Sequence, residues 1–204
     1  TLGNNYEVGW KGEWYDGDLN TSVALFQIDQ KNTAVNSGKR LDDGTNRFYF
    51  EPMTMQSRGV DAEISGKLTD DWQMFAGYTF NTRKYKESIG SITKGSSFNK
   101  QTPKHMLRLY TSYRLPGAAE KWTVGLGMST QSGTSSSWDV KNGGHTLWNA
   151  NVQYKPTKDL NIGVAINNLT DKRYYENHGI RAHGWGNFYG EPRNVMLNVK
   201  WEMK

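Results

Sequence analysis

In eight of nine separate stretches of this 204-residue chain, apolar and polar side chains alternate, and this alternation restricts the fold more than any other feature. The remaining stretch, 19–29, is apolar on both parities, so its facing stays open. Between Trp122 and Gln131, the even-numbered residues are apolar through Met128, whereas the odd-numbered ones are small or polar. Successive side chains of a β-strand point to opposite faces, so the pattern predicts strands with one apolar and one polar face. The sequence therefore predicts an all-β protein with nine antiparallel strands, at 6–14, 19–29, 60–68, 72–80, 105–115, 122–131, 148–154, 160–168 and 195–203.

The connections between these strands alternate in length. Short turns follow the first, third, fifth and seventh strands, and long polar loops follow the others, at about 30–56, 85–103, 132–145 and 169–191. Long loops at only one end of a sheet are typical of transmembrane β-barrels, whose strands of about ten residues cross the bilayer at a tilt. The sequence thus predicts an antiparallel transmembrane β-barrel in a bacterial outer membrane, with the long loops extracellular and the C-terminus periplasmic.

The positions of the aromatic residues favour the same fold. Six rings lie on the apolar parity, close to a short turn or to the C-terminus: Trp14, Trp72, Tyr113, Trp122, Tyr154 and Trp201. Amphipathic rings collect where hydrocarbon meets lipid headgroups. We expect them to form a girdle at the periplasmic interface, with Tyr6, Tyr78, Phe80 and Trp148 at the other rim. A soluble β-sandwich, whose strands also alternate, is the alternative, but it needs neither the girdle nor one-sided loops.

An odd number of strands indicates a part of a larger structure. Bacterial single-chain barrels have an even strand count, and an open sheet would leave two unpaired edges in lipid. We therefore expect residues 1–204 to be the C-terminal portion of a larger barrel domain.

Composition excludes several other classes of protein. The chain has no cysteine, which excludes a disulfide scaffold, a thiolate zinc site and a cysteine nucleophile. The mean hydropathy of -0.80 and the lack of a long apolar run argue against a transmembrane helix. The net charge is +5, but the basic residues are scattered over loops without a nucleic-acid-reading motif, so no nucleic-acid partner is expected. No catalytic motif stands out, and we expect no enzyme activity.

The last long loop has the most unusual composition. It carries aromatic and basic residues among glycines, a combination typical of recognition surfaces; a loop that folds on itself over the barrel mouth is equally compatible with it. His178 and His183 lie near Glu176, but their spacing fits no standard zinc motif. We expect no metal site.

Five segments resemble TonB-dependent siderophore receptors, in the order in which that family has them. They are 4–32 (NNYEVGWKGEWYDGDLNTSVALFQIDQKN), 57–80 (SRGVDAEISGKLTDDWQMFAGYTF), 102–117 (TPKHMLRLYTSYRLPG), 164–176 (VAINNLTDKRYYE) and 189–201 (YGEPRNVMLNVKW). The resemblance is closest to receptors for ferric hydroxamate-type or pyoverdine-type siderophores. It implies a 22-stranded outer-membrane barrel, filled by an N-terminal plug, that imports ferric chelates with energy from TonB. Residues 1–204 would supply the last nine strands, without the plug or the TonB-contacting region. The end of the sequence departs from the family pattern. Barrels of this family commonly end on an aromatic residue that is recognised during assembly, whereas here three non-aromatic residues follow Trp201.

A ferric siderophore brings its iron already coordinated, so its receptor needs no cofactor and no metal ligands. We expect aromatic rings and basic residues to bind the chelate, with a hydroxamate-type ligand favoured. By position, the candidates are Arg83, Tyr85, Trp138, Tyr174, Tyr175, His178, Arg181, Trp185 and Tyr189. The implied partners are ferric siderophore, TonB, and outer-membrane lipid with lipopolysaccharide. The competing functions are a passive pore or adhesin and a soluble carbohydrate-binding β-sandwich.

Overall fold

The computed structural model describes residues 1–136, 139–177 and 186–202. Within these residues, nine strands form one antiparallel sheet whose order follows the chain: β1 (Leu2–Trp14), β2 (Leu19–Arg40), β3 (Phe48–Thr69), β4 (Trp72–Tyr85), β5 (His105–Arg114), β6 (Trp122–Gln131), β9 (His145–Tyr154), β10 (Leu160–Asn167) and β13 (Asn194–Trp201). Two small hairpins lie in the loops: β7 (Thr134–Ser135) with β8 (Lys141–Asn142), and β11 (Tyr175–Asn177) with β12 (Phe188–Tyr189). A 3-10 turn spans Gly117–Ala119. None of the helical segments in the described ranges is both long and apolar enough to span a membrane.

The nine-stranded antiparallel sheet confirms the predicted fold and excludes the β-sandwich. A sandwich buries side chains between two packed sheets, yet here only Leu19 and Met53 are buried apolar residues among those described. Large apolar side chains remain exposed instead, including Trp10 at 52% and Leu197 at 70% of full exposure. Such a sheet needs lipid on its apolar face.

Strand register sorts the side chains onto two faces. One row across the sheet joins Trp72, Tyr113, Val124, Val152, Val164 and Leu197. The row of opposite parity joins Lys11, Ser22, Glu63, Gly77, Arg108 and Ser129. We call these the apolar face and the polar face. Phe75 and Tyr110 lie on the polar face as exceptions, opposite each other on neighbouring strands.

The predicted long loop at 30–56 is wrong for most of its length. β2 continues to Arg40 and β3 begins at Phe48, so only residues 41–47 connect them. A β-bulge explains why the sequence pattern did not predict this extension. Gln30 pairs with Met55, but the next pair is Thr33 with Met53. Asn32 has a positive φ of 55° at this point. One extra residue reverses the parity of β2, so the alternation appears to end there.

Other boundaries differ by smaller amounts. β1 begins at Leu2 rather than residue 6, and β4 runs to Tyr85 rather than residue 80. The loops predicted at 132–145 and 169–191 contain the two small hairpins, because short stretches within them pair with each other rather than with the main sheet.

Candidate functional site

The six girdle rings share the apolar face at the end of the sheet that carries the short turns. Trp72 meets Tyr113 edge-on at 6.4 Å between ring centroids, and Trp122 stacks on Tyr154 at 4.4 Å. The indole N–H groups have partners on the same face: Trp14 Nε1 donates to Thr21 Oγ1 at 2.9 Å, and Trp72 Nε1 donates to Thr111 Oγ1 at 2.7 Å. Trp201 pairs with Leu160 at the last strand. The six rings therefore line this end of the apolar face, and four of them are in contact as two pairs.

A smaller aromatic cluster lies towards the other end of the apolar face. The Tyr78 hydroxyl is 2.9 Å from His105 Nδ1, and the Phe80 ring is 4.8 Å from the His105 ring. Tyr6 and Trp148, the other two predicted rim residues, share this face. His105, the first residue of β5, was not among the residues predicted for this rim.

On the polar face, at the end away from the girdle, lies a cavity of about 550 Å³. We call it the mouth cavity. β4 contributes Asn81 and Arg83, the connection after β4 contributes Phe98, Lys100 and Lys104, and β8 contributes Lys141 and Asn142. Arg83 Nη1 donates to the carbonyl oxygen of Thr102 at 3.3 Å. This bond holds the half-buried guanidinium against the cavity wall.

The mouth cavity has a surplus of positive charge. Lys100 Nζ lies 2.9 Å from Asp139 Oδ1, and this hydrogen bond holds the pKa of the Asp139 carboxyl below its usual value. In the part of the chain that the structure describes, no carboxylate oxygen lies within 4.0 Å of the side-chain nitrogens of Arg83, Lys104 or Lys141. Three cations without an ion-pair partner favour an anionic ligand.

Aromatic contact surface lies beside this charge. The rings of Tyr85 and Phe98 are 5.5 Å apart. Phe98 lines the mouth cavity and also an adjoining cavity of about 540 Å³ that Tyr85 lines. Arg83 and Tyr85, two candidates from the sequence, therefore lie on one connected surface.

Three tyrosines of the last long loop form a second group. Tyr175 and Tyr189 stack at 4.5 Å, and the Tyr175 hydroxyl donates to the Tyr189 hydroxyl at 3.0 Å. Tyr174 packs on His145 at 4.4 Å, and burial raises the pKa of the Tyr174 phenol, which stays neutral at neutral pH. Tyr174 and Tyr175 line a cavity of about 230 Å³, which we call the tyrosine cavity.

One hydrogen bond connects the two groups. Asn142 lines the mouth cavity, and its Nδ2 donates to the carbonyl oxygen of Tyr175 at 3.0 Å. The structure thus brings Arg83, Tyr85, Tyr174, Tyr175 and Tyr189 to one end of the sheet. Four other candidates lie outside the described residues: Trp138, His178, Arg181 and Trp185. Within the described ranges, no three His, Asp or Glu side chains come together as metal ligands.

Asn168 fixes both ends of the last long loop. Its buried Nδ2 donates to the carbonyl oxygens of Lys172 at 2.9 Å and Glu191 at 3.0 Å, and its Oδ1 accepts from the Lys172 N–H at 2.8 Å. The Asn168 N–H donates to Asn149 Oδ1 at 3.0 Å, which ties the loop to β9. The roles of Asn168 and Lys141 depend on contacts across loops, so no sequence pattern predicted them.

Comparison with known proteins assigns this architecture to a family. The family model described as "TonB dependent receptor-like, beta-barrel" matches residues 1–169. The ferric-pyoverdine M114 receptor PbuA of Pseudomonas sp. (strain M114) is 34% identical over 204 residues, which cover 98% of this chain and 24% of that receptor. The ferripyoverdine receptor of Pseudomonas aeruginosa is 35% identical over 215 residues, with 98% and 25% coverage.

A solved structure agrees with both sequence relatives. The pyoverdine outer-membrane receptor FpvA of Pseudomonas aeruginosa PAO1, bound to pyoverdine, superposes with a TM-score of 0.85 at 32% identity, covering 98% of this chain and 30% of that one. The chain spans about a quarter of the length of the curated relatives it matches. The matched family model, the relatives and the nine-stranded sheet together show that this chain belongs to the TonB-dependent receptor β-barrel family.

Proposed function

We propose that this chain is part of an outer-membrane receptor that takes up a ferric siderophore with energy from TonB. The observation that carries the proposal is the mouth cavity, which combines unpaired cations with aromatic rings on the face opposite the girdle. Relatives that share this architecture are named ferric-pyoverdine receptors. In the proposed orientation the long loops are extracellular, the C-terminus is periplasmic, and the girdle meets the periplasmic lipid interface.

The chemistry of the two cavities suits a ligand that carries its own iron. The cations of the mouth cavity would attract negatively charged groups of the chelate, and Phe98, Tyr85 and the tyrosine cavity would pack against its flat or apolar parts. A hydroxamate- or pyoverdine-type chelate is the ligand class we favour. The other sequence candidates, Trp138, His178, Arg181 and Trp185, are proposed to complete the contact surface.

The proposed contact with TonB involves a region outside residues 1–204. We place the plug and the TonB-contacting segment in an N-terminal part of the whole protein. The cations of the mouth cavity described above belong to this chain, so their contribution to ligand binding can be tested by substituting them.

The test replaces Arg83 in the full-length receptor with glutamine. Removal of the Arg83 charge, which has no ion-pair partner among the described residues, is expected to weaken binding of ferric pyoverdine by about ten- to 150-fold, since hydrogen bonds to charged groups contribute about 1.5–3 kcal/mol. Binding is measured by quenching of intrinsic fluorescence, and uptake by radioactive iron. The matched control is Arg114→Gln, at the girdle end, where the arginine pairs with Asp71. Equal binding by both variants and the unsubstituted receptor would remove the mouth cavity from the ligand site.

A further inference from the structure

Asn142 is the only asparagine of the sequence that is followed by glycine. It ends the short strand β8, and Gly143 and Gly144 connect it to β9. The side-chain amide carbon of an asparagine can be attacked by the backbone nitrogen of the next residue, which closes a five-membered ring. Glycine favours this attack, because it has no Cβ to obstruct the ring and because its backbone reaches more conformations than that of other residues. Among the asparagines of the chain, Asn142 therefore has the following residue that obstructs ring closure least.

The backbone nitrogen of Gly143 is free to make this attack. Within the described ranges, the Gly143 N–H donates to no backbone or side-chain acceptor. The hairpin that precedes it is held by only two residue pairs, Thr134 with Asn142 and Ser135 with Lys141. Gly143 is exposed, and apart from its chain neighbours no heavy atom lies within 4 Å of the position that a Cβ would take. The Gly143 amide can therefore turn towards the Asn142 side chain without displacing other atoms.

The Asn142 side chain lies where a change of charge would matter. It is half-buried and lines the mouth cavity, next to Lys141, which has no ion-pair partner among the described residues. Its Nδ2 donates to the carbonyl oxygen of Tyr175 at 3.0 Å. An amide can donate this hydrogen bond, whereas an ionised carboxylate only accepts. A carboxylate at position 142 would thus lose the bond to Tyr175 and add negative charge to a cationic cavity.

We propose that Asn142 is a site of spontaneous deamidation that lowers the affinity of the receptor for its ligand. The Gly143 nitrogen loses its proton to solvent and bonds to the side-chain carbon of Asn142, and the side-chain nitrogen leaves as ammonia. Water then adds to one of the two ring carbonyls and opens the ring, which gives aspartate or isoaspartate at position 142. The sum of the steps consumes one water and releases one ammonia, with no oxidation or reduction.

The product would oppose binding of an anionic chelate in two ways. The new carboxyl group is ionised at neutral pH, so it reduces the surplus positive charge that attracts such a ligand. The lost hydrogen bond is the one that connects the mouth cavity to the stacked tyrosines Tyr175 and Tyr189. The effect on affinity rests on the proposed function, whereas the deamidation itself does not.

The first experiment measures the reaction. The full-length receptor is aged in warm, mildly alkaline buffer, and deamidation of each asparagine in residues 1–204 is followed by peptide mass spectrometry. We expect Asn142 to react fastest. The matched control is Gly143→Ala, because the added methyl group has open space and the Gly143 φ lies outside the left-handed region. Alanine should slow the reaction at Asn142 by about tenfold. An equal rate in both proteins, or faster deamidation at another of these asparagines, would overturn the proposal.

The second experiment measures ferric-pyoverdine binding by quenching of intrinsic fluorescence. Asn142→Asp is expected to bind about tenfold more weakly than the unsubstituted receptor. The unsubstituted receptor should lose affinity with age in proportion to the deamidated fraction, and the Gly143→Ala variant should keep most of the affinity it had when fresh. Undiminished binding by Asn142→Asp would overturn the effect on affinity.

A second variant controls for the charge alone. Asn20→Asp adds the same charge to the polar face at the end that carries the short turns, where Asn20 pairs with Glu13 and Ser65. Its affinity should stay within about twofold of the unsubstituted receptor, because the added charge is screened over that distance. An equal loss in Asn20→Asp and Asn142→Asp would also overturn the effect on affinity.

The two experiments separate this inference from the proposed function. A fresh receptor that binds no ferric pyoverdine, but whose Asn142 deamidates first, would contradict the proposed function and support the modification site. A receptor that binds the chelate and whose Asn142 stays intact while other asparagines react would contradict the modification site alone.

Discussion

At the scale of single residues, Asn168 shows how one amide positions a whole loop. It is 4% exposed, and its backbone has a positive φ of 48°. Asparagine adopts this left-handed conformation more readily than most residues because its side chain bonds to nearby backbone. The same side chain satisfies backbone groups at both ends of the loop, at Lys172 and Glu191. Asn168 therefore fixes the backbone at both ends of the loop that carries the tyrosines.

Replacement of Asn168 by alanine is expected to release this loop. Each buried backbone group left without a partner costs about 1–3 kcal/mol, so segment 169–191 should become a site of rapid proteolysis in the outer-membrane-assembled receptor. Asn168→Gly separates the two possible causes, because glycine tolerates the positive φ but makes no side-chain bonds. Equal protease sensitivity of the alanine and glycine variants supports the hydrogen-bond explanation. Full protection of the glycine variant would show that only backbone strain matters.

At the scale of elements, two pairs of rings join neighbouring strands at the short-turn end of the sheet. Trp122 begins β6 and Tyr154 ends β9, and the antiparallel register places them directly opposite each other. Their stacked rings are the closest aromatic contact in the girdle. Aromatic pairs of this kind contribute about 0.5–1.5 kcal/mol beyond their burial.

A double-mutant cycle on Trp122→Ala and Tyr154→Ala measures this contact. We expect a coupling free energy of about 0.5–1.5 kcal/mol in urea unfolding of the bilayer-reconstituted receptor. The control cycle pairs Trp122→Ala with Trp14→Ala, which lies several strands away and should give additive effects. A coupling near zero for Trp122 and Tyr154 would mean that the rings act only through their separate contacts with lipid.

The sequence allowed the main-sheet strands to be predicted well and the loop strands poorly, for a physical reason. Alternation is readable where one face meets lipid, as it is from Trp122 to Gln131. Above that region β2 is mostly polar on both faces, β3 begins with the consecutive aromatic residues Phe48, Tyr49 and Phe50, and the bulge at Asn32 breaks the parity. β2 has 22 residues, roughly 70 Å at about 3.3 Å per residue, and an apolar band of about 25 Å covers only part of it.

The site residues also divide into those that a local sequence pattern can predict and those that depend on contacts between distant segments. Arg83 and Tyr85 were predicted as a basic and an aromatic residue close to the long loop at 85–103. Because β4 runs on to Tyr85, both lie on its polar face. Lys141 and Asn142 reach the mouth cavity only because the hairpin β7–β8 docks on the preceding loop, where the Ser135 N–H donates to the carbonyl oxygen of Lys100 at 3.0 Å. No local pattern signals a bond between residues so far apart in the chain.

At the scale of the whole molecule, the two faces of one sheet separate two environments. The apolar face carries the girdle. The polar face carries the mouth cavity with Arg83 and the tyrosine cavity. The proposed receptor function requires that the first face contacts lipid and the second faces the interior of the barrel.

The most direct test compares two adjacent residues of β5 in the full-length receptor in bilayers. Arg108 pairs with Gly77 on the polar face, and Leu109 pairs with Ala76 on the apolar face. The chain contains no cysteine, so a spin label attached through Arg108→Cys or Leu109→Cys is unique within it. We expect lipid-soluble oxygen to relax the label at 109 more strongly, and a water-soluble nickel chelate to relax the label at 108 more strongly. Equal and strong relaxation of both labels by the nickel chelate would contradict the membrane-spanning barrel.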